Sequence, residues 1–289
     1  MATVADWVEG ARPRTLPAAV SPVALGTGAA VGLDSGSLLR ASLAAGVALA
    51  LQVGVNYAND YSDGIRGTDD VRTGPPRLTG GGAARPRTVR LAAFASFAVA
   101  GVLGLWLVAL AGTWWLLAAG AVAVLAAWGY TGGASPYGYR GLGEVAVFVF
   151  FGLLATLGTT YTQALTVTWQ AVAGATGVGL IACALLMVNN VRDVPTDTVA
   201  GKRTLAVRLG DRRARWAFVL MITVPLALGL LCAVTHPWAW ALLALVPWAV
   251  HLSRTVLGGA SGRDLIPTLR DTGFFDLAYG LVLGAALAL

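Results

Sequence analysis

Charge is scarce in this chain. Only 12% of its 289 residues are Asp, Glu, Lys or Arg, against about 25% in a soluble domain. A water-facing surface of ordinary extent is therefore excluded. Cysteine is scarcer still: Cys183 and Cys232 sit inside apolar runs without a CxxC neighbour, and both read as small core residues rather than a disulfide or a reactive thiol. The two histidines, His236 and His251, lie in different segments away from the acidic residues, so a histidine-based metal site is not expected. Lysine occurs once, as Lys202. The start, MATVADWVEGARPRTLP, contains Asp6 and Glu9 and lacks the order of charge, apolar core and small-residue cleavage site that marks a secretory signal.

Apolar residues are abundant. Hydrophobic residues make up 57% of the chain and the mean hydropathy is +0.72. A helix that spans a bilayer needs about 20 mostly apolar residues, and nine stretches qualify: 15–34, 40–60, 89–111, 114–131, 142–164, 169–190, 214–234, 237–256 and 272–289. The expected fold is all-α, an integral membrane bundle of about nine transmembrane helices forming one domain over 1–289. Nineteen of the 20 basic residues fall in the N-terminal arm, in every second connection or at the adjoining helix ends; Arg40 is the exception. Positive loops stay on the cytoplasmic side, so the N-terminus is expected inside a multi-pass cell-membrane protein. This topology also accounts for the net charge of +6 without nucleic acid as a partner.

The acids are concentrated. Asp60, Asp63, Asp69 and Asp70 follow Asn56 and Asn59 at the end of the second apolar stretch. Asn189, Asn190, Asp193 and Asp197 follow at the end of the sixth, where Pro195 is expected to interrupt the helix and leave Asp197 on a loop or fresh turn. Each cluster is followed by bases, Arg66, Arg72 and Arg77 in one case and Lys202, Arg203 and Arg208 in the other, so 56–70 and 189–203 form a pseudo-repeat. Carboxylates gathered together resist ionising unless a cation lies between them. Oxygen donors without His or Cys suit a hard ion such as Mg²⁺, which takes one or two carboxylates plus substrate phosphate. Neighbouring Lys and Arg can hold the remaining phosphate oxygens. The pattern describes a diphosphate site at the membrane surface. Polar helix ends entering water are the plain alternative, and they do not account for two matching clusters.

With its Asn-Asp-x-x-Asp at 59–63 and Asp-x-x-x-Asp at 193–197, the chain resembles the UbiA superfamily of intramembrane prenyltransferases. The stretches ARPRTLPAA (11–19), NDYSDGIRGTD (59–69), YTGGASPYGYRGLGE (130–144) and NNVRDVPTDTVAGKRTLAVRLG (189–210) are similar to the branch acting in menaquinone synthesis. Gly67 stands where many members carry a third acid, with Asp69 two positions on.

The resemblance implies Mg²⁺-dependent transfer of a polyprenyl chain from polyprenyl diphosphate to 1,4-dihydroxy-2-naphthoate with decarboxylation, giving demethylmenaquinone. It implies two Mg²⁺ held by Asn59, Asp63, Asp193 and Asp197, with Asp60 as a further catalytic residue. The diphosphate would meet Lys202, Arg66, Arg72, Arg77 and Arg203. The acceptor would meet Arg12, Arg14, Asn56, Tyr130, Arg140, Glu144, Asn189 and Asn190. Tyr57, Tyr61, Tyr130 and Phe148 are candidates to face an allylic cation, and the glycine-rich connection 64–88 is expected to close over the site. A membrane lipid environment follows. The rival from another class is a transporter using the acids as ion stations; a non-catalytic assembly subunit is weaker, since it has no use for two metal-binding clusters.

Overall fold

The computed structural model describes residues 2–67 and 77–289. Asp69, Asp70 and Arg72 lie outside the described residues. A short amphipathic helix α1 (Val4–Gly10) leads through an arm into α2 (Pro17–Val31), α3 (Leu38–Ile65), α4 (Pro86–Ala111) and α5 (Leu116–Gly129). Then follow α6 (Gly143–Ala164), α7 (Trp169–Val199), the short α8 (Leu205–Leu209), α9 (Asp211–Val234), α10 (Pro237–Leu257) and α11 (Leu265–Ala288). No strand occurs among the described residues. Seven helices are long and apolar enough to cross a membrane, and the shorter apolar α2 and α5 fill the two remaining expected positions. Helices suit this composition because lipid offers no partner to an unpaired backbone group.

Two expectations change. First, α7 runs straight through Pro195 to Val199, so Asp193 and Asp197 share one helix. The proline deletes a single intrahelical bond close to the helix end, which bundled membrane helices tolerate. Second, α11 begins at Leu265, well before the expected 272. Asp276 therefore lies near its middle, buried, and receives the Ser21 hydroxyl on its backbone oxygen (2.6 Å) and on Oδ1 (3.3 Å). In the described part of the 64–88 connection Leu78 is buried, and its backbone oxygen accepts from Ala84 at 2.9 Å.

Small residues set the close packing. A Cβ on Gly28 of α2 would lie 2.1 Å from the backbone oxygen of Gly284 on α11, and one on Gly280 would lie 2.5 Å from the oxygen of Ser21. The two backbones can approach this closely because a glycine stands on at least one side of each contact. Gly152, in a π-helical stretch of α6 (Phe148–Leu154), meets Gly179 of α7 in the same way. Of all the spans α7 is the most enclosed, with 72% of its apolar window buried against 22% for α3. Arg40, the exception to the charge pattern, donates to the carbonyls of Leu110, Thr162 and Gln163. It caps the C-terminal turns of α4 and α6, where a cation offsets the unpaired carbonyls.

Candidate active site

Helices α3 and α7 end at the same place. Asn56, Asn59, Asp60 and Asp63 occupy the last turns of α3, and all are buried. Asn189, Asn190, Asp193 and Asp197 step along the end of α7, and both sets line one cavity of about 630 Å³. Away from the acids the cavity wall is apolar, passing Leu51, Val55, Phe150 and Phe151 to Leu107 and Leu116. The chamber thus has a charged mouth and a greasy interior.

At the mouth each carboxylate has its own partners. The Tyr139 hydroxyl donates to Asp63 Oδ1 at 2.5 Å. Arg77 lies 3.5 Å and Lys202 3.7 Å from Asp63 Oδ2. Lys202 Nζ also stands 4.6 Å from the centroid of the Tyr139 ring, within cation–π range. Backbone bonds fix this cluster: the Arg203 N–H donates to the Tyr139 carbonyl (2.9 Å) and the Lys202 N–H to the Asp197 carbonyl (2.8 Å). Asp193 is gripped by its neighbour, with Arg192 Nε 2.7 Å from Oδ1 and Nη2 2.6 Å from Oδ2. The same Nη2 donates to Asn189 Oδ1 at 2.9 Å. Asn59 Oδ1 accepts from the Thr131 hydroxyl at 2.8 Å.

Asp60 has a different occupation. Its two oxygens accept the backbone N–H groups of Leu78 and Thr79, each at 2.8 Å, which ties the chain at 78–79 to the end of α3. A carboxylate so engaged positions the first motif.

The other expected residues divide. Arg12, Arg14, Asn56, Tyr130, Arg77 and Lys202 line the cavity. Arg14 lies 3.5 Å from Glu9. Asn56 donates to the Ala11 carbonyl at 2.9 Å and Gln52 to the Thr15 hydroxyl at 3.1 Å, so α3 holds the arm that carries both arginines. Arg12 adopts a left-handed backbone, φ 55°, uncommon for a residue with a Cβ. The remaining residues are placed elsewhere. Arg66 turns away to donate to the carbonyls of Thr131 and Gly133. Arg140 and Arg203 are exposed and outside the cavity lining; Arg203 joins the cluster only through its backbone. Glu144 is buried behind the wall and accepts from Asn190 Nδ2 at 3.1 Å, so it positions Asn190. Of the four aromatic candidates only Tyr130 lines the cavity; Tyr57 donates to the Trp7 carbonyl, Tyr61 stacks on Trp128, and Phe148 packs at Gly179. Tyr137 backs Tyr130 edge-on at 5.6 Å, and burial pushes its hydroxyl up to about 12, so this wall stays uncharged.

Among the described residues no three His, Cys, Asp or Glu side chains gather into a ready-made cage. The mouth instead offers Asn59, Asp63, Asn189, Asp193 and Asp197, oxygen donors from two helices. That set fits Mg²⁺ completed by substrate phosphate, and it does not fit a soft metal. A charged oxygen-lined mouth on an apolar chamber, inside a helical membrane bundle, defines a membrane enzyme for an amphiphile with an anionic head.

Comparison with known proteins narrows the class. The model of the UbiA prenyltransferase family matches residues 19–264. The chain is 51% identical over 288 residues to the 1,4-dihydroxy-2-naphthoate octaprenyltransferase of Mycobacterium tuberculosis, covering 100% of this chain and 98% of that one. It is 39% identical to the enzyme of the same name from Escherichia coli, over 92% and 89% of the two chains. Among solved structures, a UbiA homolog from Aeropyrum pernix superposes with a TM-score of 0.70 at 16% identity, over 93% of this chain and 96% of that one. A homolog from Archaeoglobus fulgidus bound to GPP and Mg²⁺ superposes with a TM-score of 0.65 at 16% identity, over 96% and 99%. The chain belongs to the UbiA prenyltransferase family, and it is a prenyltransferase.

Proposed function

We propose that the protein transfers a polyprenyl chain from polyprenyl diphosphate to 1,4-dihydroxy-2-naphthoate in menaquinone synthesis, at a site facing the cytoplasm. The observation that carries this reading is the meeting of the two Asp-ended helices over one cavity with a charged mouth and apolar walls. Full-length identity of 51% to an enzyme named for that acceptor supports the choice of acceptor. The orientation rests on the alternation of basic connections.

In this reading Asn59, Asp63, Asp193 and Asp197 hold Mg²⁺, and the expected number of ions is two. When bound, Mg²⁺ supplies Lewis-acid stabilisation of the charge that develops on the departing diphosphate. Arg77 and Lys202 meet the diphosphate oxygens and add electrostatic stabilisation. Tyr139 holds Asp63 in place, Asp60 secures the following chain, and Thr131 orients Asn59. Arg12 and Arg14, on the arm fixed by Asn56, meet the acceptor carboxylate. Asn189 and Asn190 complete the rim, the latter set by Glu144. The apolar walls exclude water from the allylic cation.

The step balances without an added base. The carbon–oxygen bond of the donor breaks, and diphosphate leaves with the electron pair. The ring carbon bearing the carboxylate then bonds to the prenyl terminus, and loss of CO₂ returns a pair to the ring. The immediate product is the hydroquinone form of demethylmenaquinone. Purified protein given Mg²⁺, farnesyl diphosphate and dihydroxynaphthoate should release CO₂ and diphosphate in equal amounts. An intact fold with no release of either would count against the proposal and leave the transporter reading standing.

A further inference from the structure

Arg192 is the tightest cation at the mouth, and nothing above gives it a part in the reaction. Its side chain is 4% exposed. It forks onto both oxygens of Asp193 at 2.7 and 2.6 Å and reaches Asn189 Oδ1 at 2.9 Å. Arg77 and Lys202, by comparison, stand 3.5 and 3.7 Å from Asp63. A cation seated against Asp193 and Asn189 competes with this fork for the same oxygens and repels the guanidinium. The guanidinium then needs a new anionic acceptor, because a buried charge that loses its partner is strongly unfavourable. Arg192 lines the cavity together with Asp193 and Lys202, so a diphosphate seated there offers that acceptor, and two oxygens on one phosphate match the planar fork.

We infer that Arg192 is an exchangeable counter-ion: it holds Asp193 until metal arrives and then passes to the diphosphate of the donor. This rests on the proposed function and adds to it an order of events. Metal alone binds against the fork, donor alone meets carboxylates, and the two together satisfy every charge, so each raises the other's affinity by the same factor.

The test uses the full chain in detergent and two binding measurements that need no turnover. Calorimetry reads Mg²⁺ alone, and a radiolabelled geranylgeranyl thiolodiphosphate reads donor binding at saturating Mg²⁺. In Arg192→Gln, Mg²⁺ alone should bind at least tenfold tighter and the donor analogue at least tenfold weaker. Arg192→Lys keeps the charge but cannot fork, and it should show the same two signs with smaller amplitude, which guards against misfolding of the first variant. Weakening of both ligands, or no change in either, would overturn the exchange. Wild-type protein that binds neither ligand would instead refute the proposed function itself, so the two failures are distinguishable.

Discussion

Lys202 Nζ lies 3.7 Å from Asp63 Oδ2, which joins the residue just after the second acidic motif to the last acid of the first. Arg77 stands 3.5 Å from the same oxygen, so two cations meet on one carboxylate. Replacing Lys202 with Met should lower kcat/KM for the donor by about 10–100-fold, and Lys202→Arg should restore only part of it, because the ammonium is a compact point charge and the guanidinium a wide plane. Steady-state kinetics across donor concentrations checks this.

Asp63→Asn and Asp193→Asn should each lower turnover by about 100–1,000-fold, the range seen when an electrostatic contributor to the transition state is removed. Both should still assemble as membrane-inserted bundles by circular dichroism and gel filtration. Near-normal rates in either would remove that residue from the metal site.

Tyr139→Phe deletes the hydroxyl bonded to Asp63 at 2.5 Å. A hydrogen bond to a charged group contributes about 1.5–3 kcal/mol, so loss of roughly tenfold or more is expected. Because Tyr139 acts through Asp63, the concentration of Mg²⁺ giving half-maximal rate should rise in this variant. A fall in kcat with an unchanged Mg²⁺ requirement would show that the hydroxyl does not position a metal ligand.

Arg66 and Arg77 both follow the first motif in sequence and differ in space. Arg77 lines the cavity, whereas Arg66 is spent on the carbonyls of Thr131 and Gly133. Arg77→Ala should reduce activity by about tenfold or more, the cost of losing a charge-assisted contact, and Arg66→Ala by less than about threefold. Parallel assays of the two variants decide it.

Gly28→Ala would place a Cβ 2.1 Å from a backbone oxygen of α11. Overpacking of this kind costs about 1–3 kcal/mol, and the thermal unfolding midpoint in detergent should drop by several degrees. A midpoint equal to wild type would show that α2 and α11 can part locally without cost.

Much of this was legible because charge is so rare. In a chain with 14 acids, two matching groups at helix ends identify themselves, and the nine apolar stretches follow from bilayer thickness. Asn59, Asp63, Asp193 and Asp197 were found in that way. Arg192 was hidden by a good explanation, since a base near a helix end expected on the cytoplasmic side satisfies the topology rule without further purpose. Tyr139 and Thr131 sit on a connection whose path depends on tertiary packing, and neither carries a periodic signal. Arg66 misled for the opposite reason: proximity in sequence to the motif says nothing about which way a residue in a turn will point. Pro195 runs against its local preference because, near the end of a bundled membrane helix, one missing hydrogen bond does not end α7.

The seam of Ser21 and Gly28 against Gly280 and Gly284 joins an early membrane helix to α11, which is made after the other described spans. A nascent chain still lacking α11 has nothing to lay against that side of α2. Its chamber would lack the wall that Ile266 and Leu269 of α11 contribute. Catalytic competence should therefore arrive late in biogenesis, once α11 has left the translocation machinery and packed on α2.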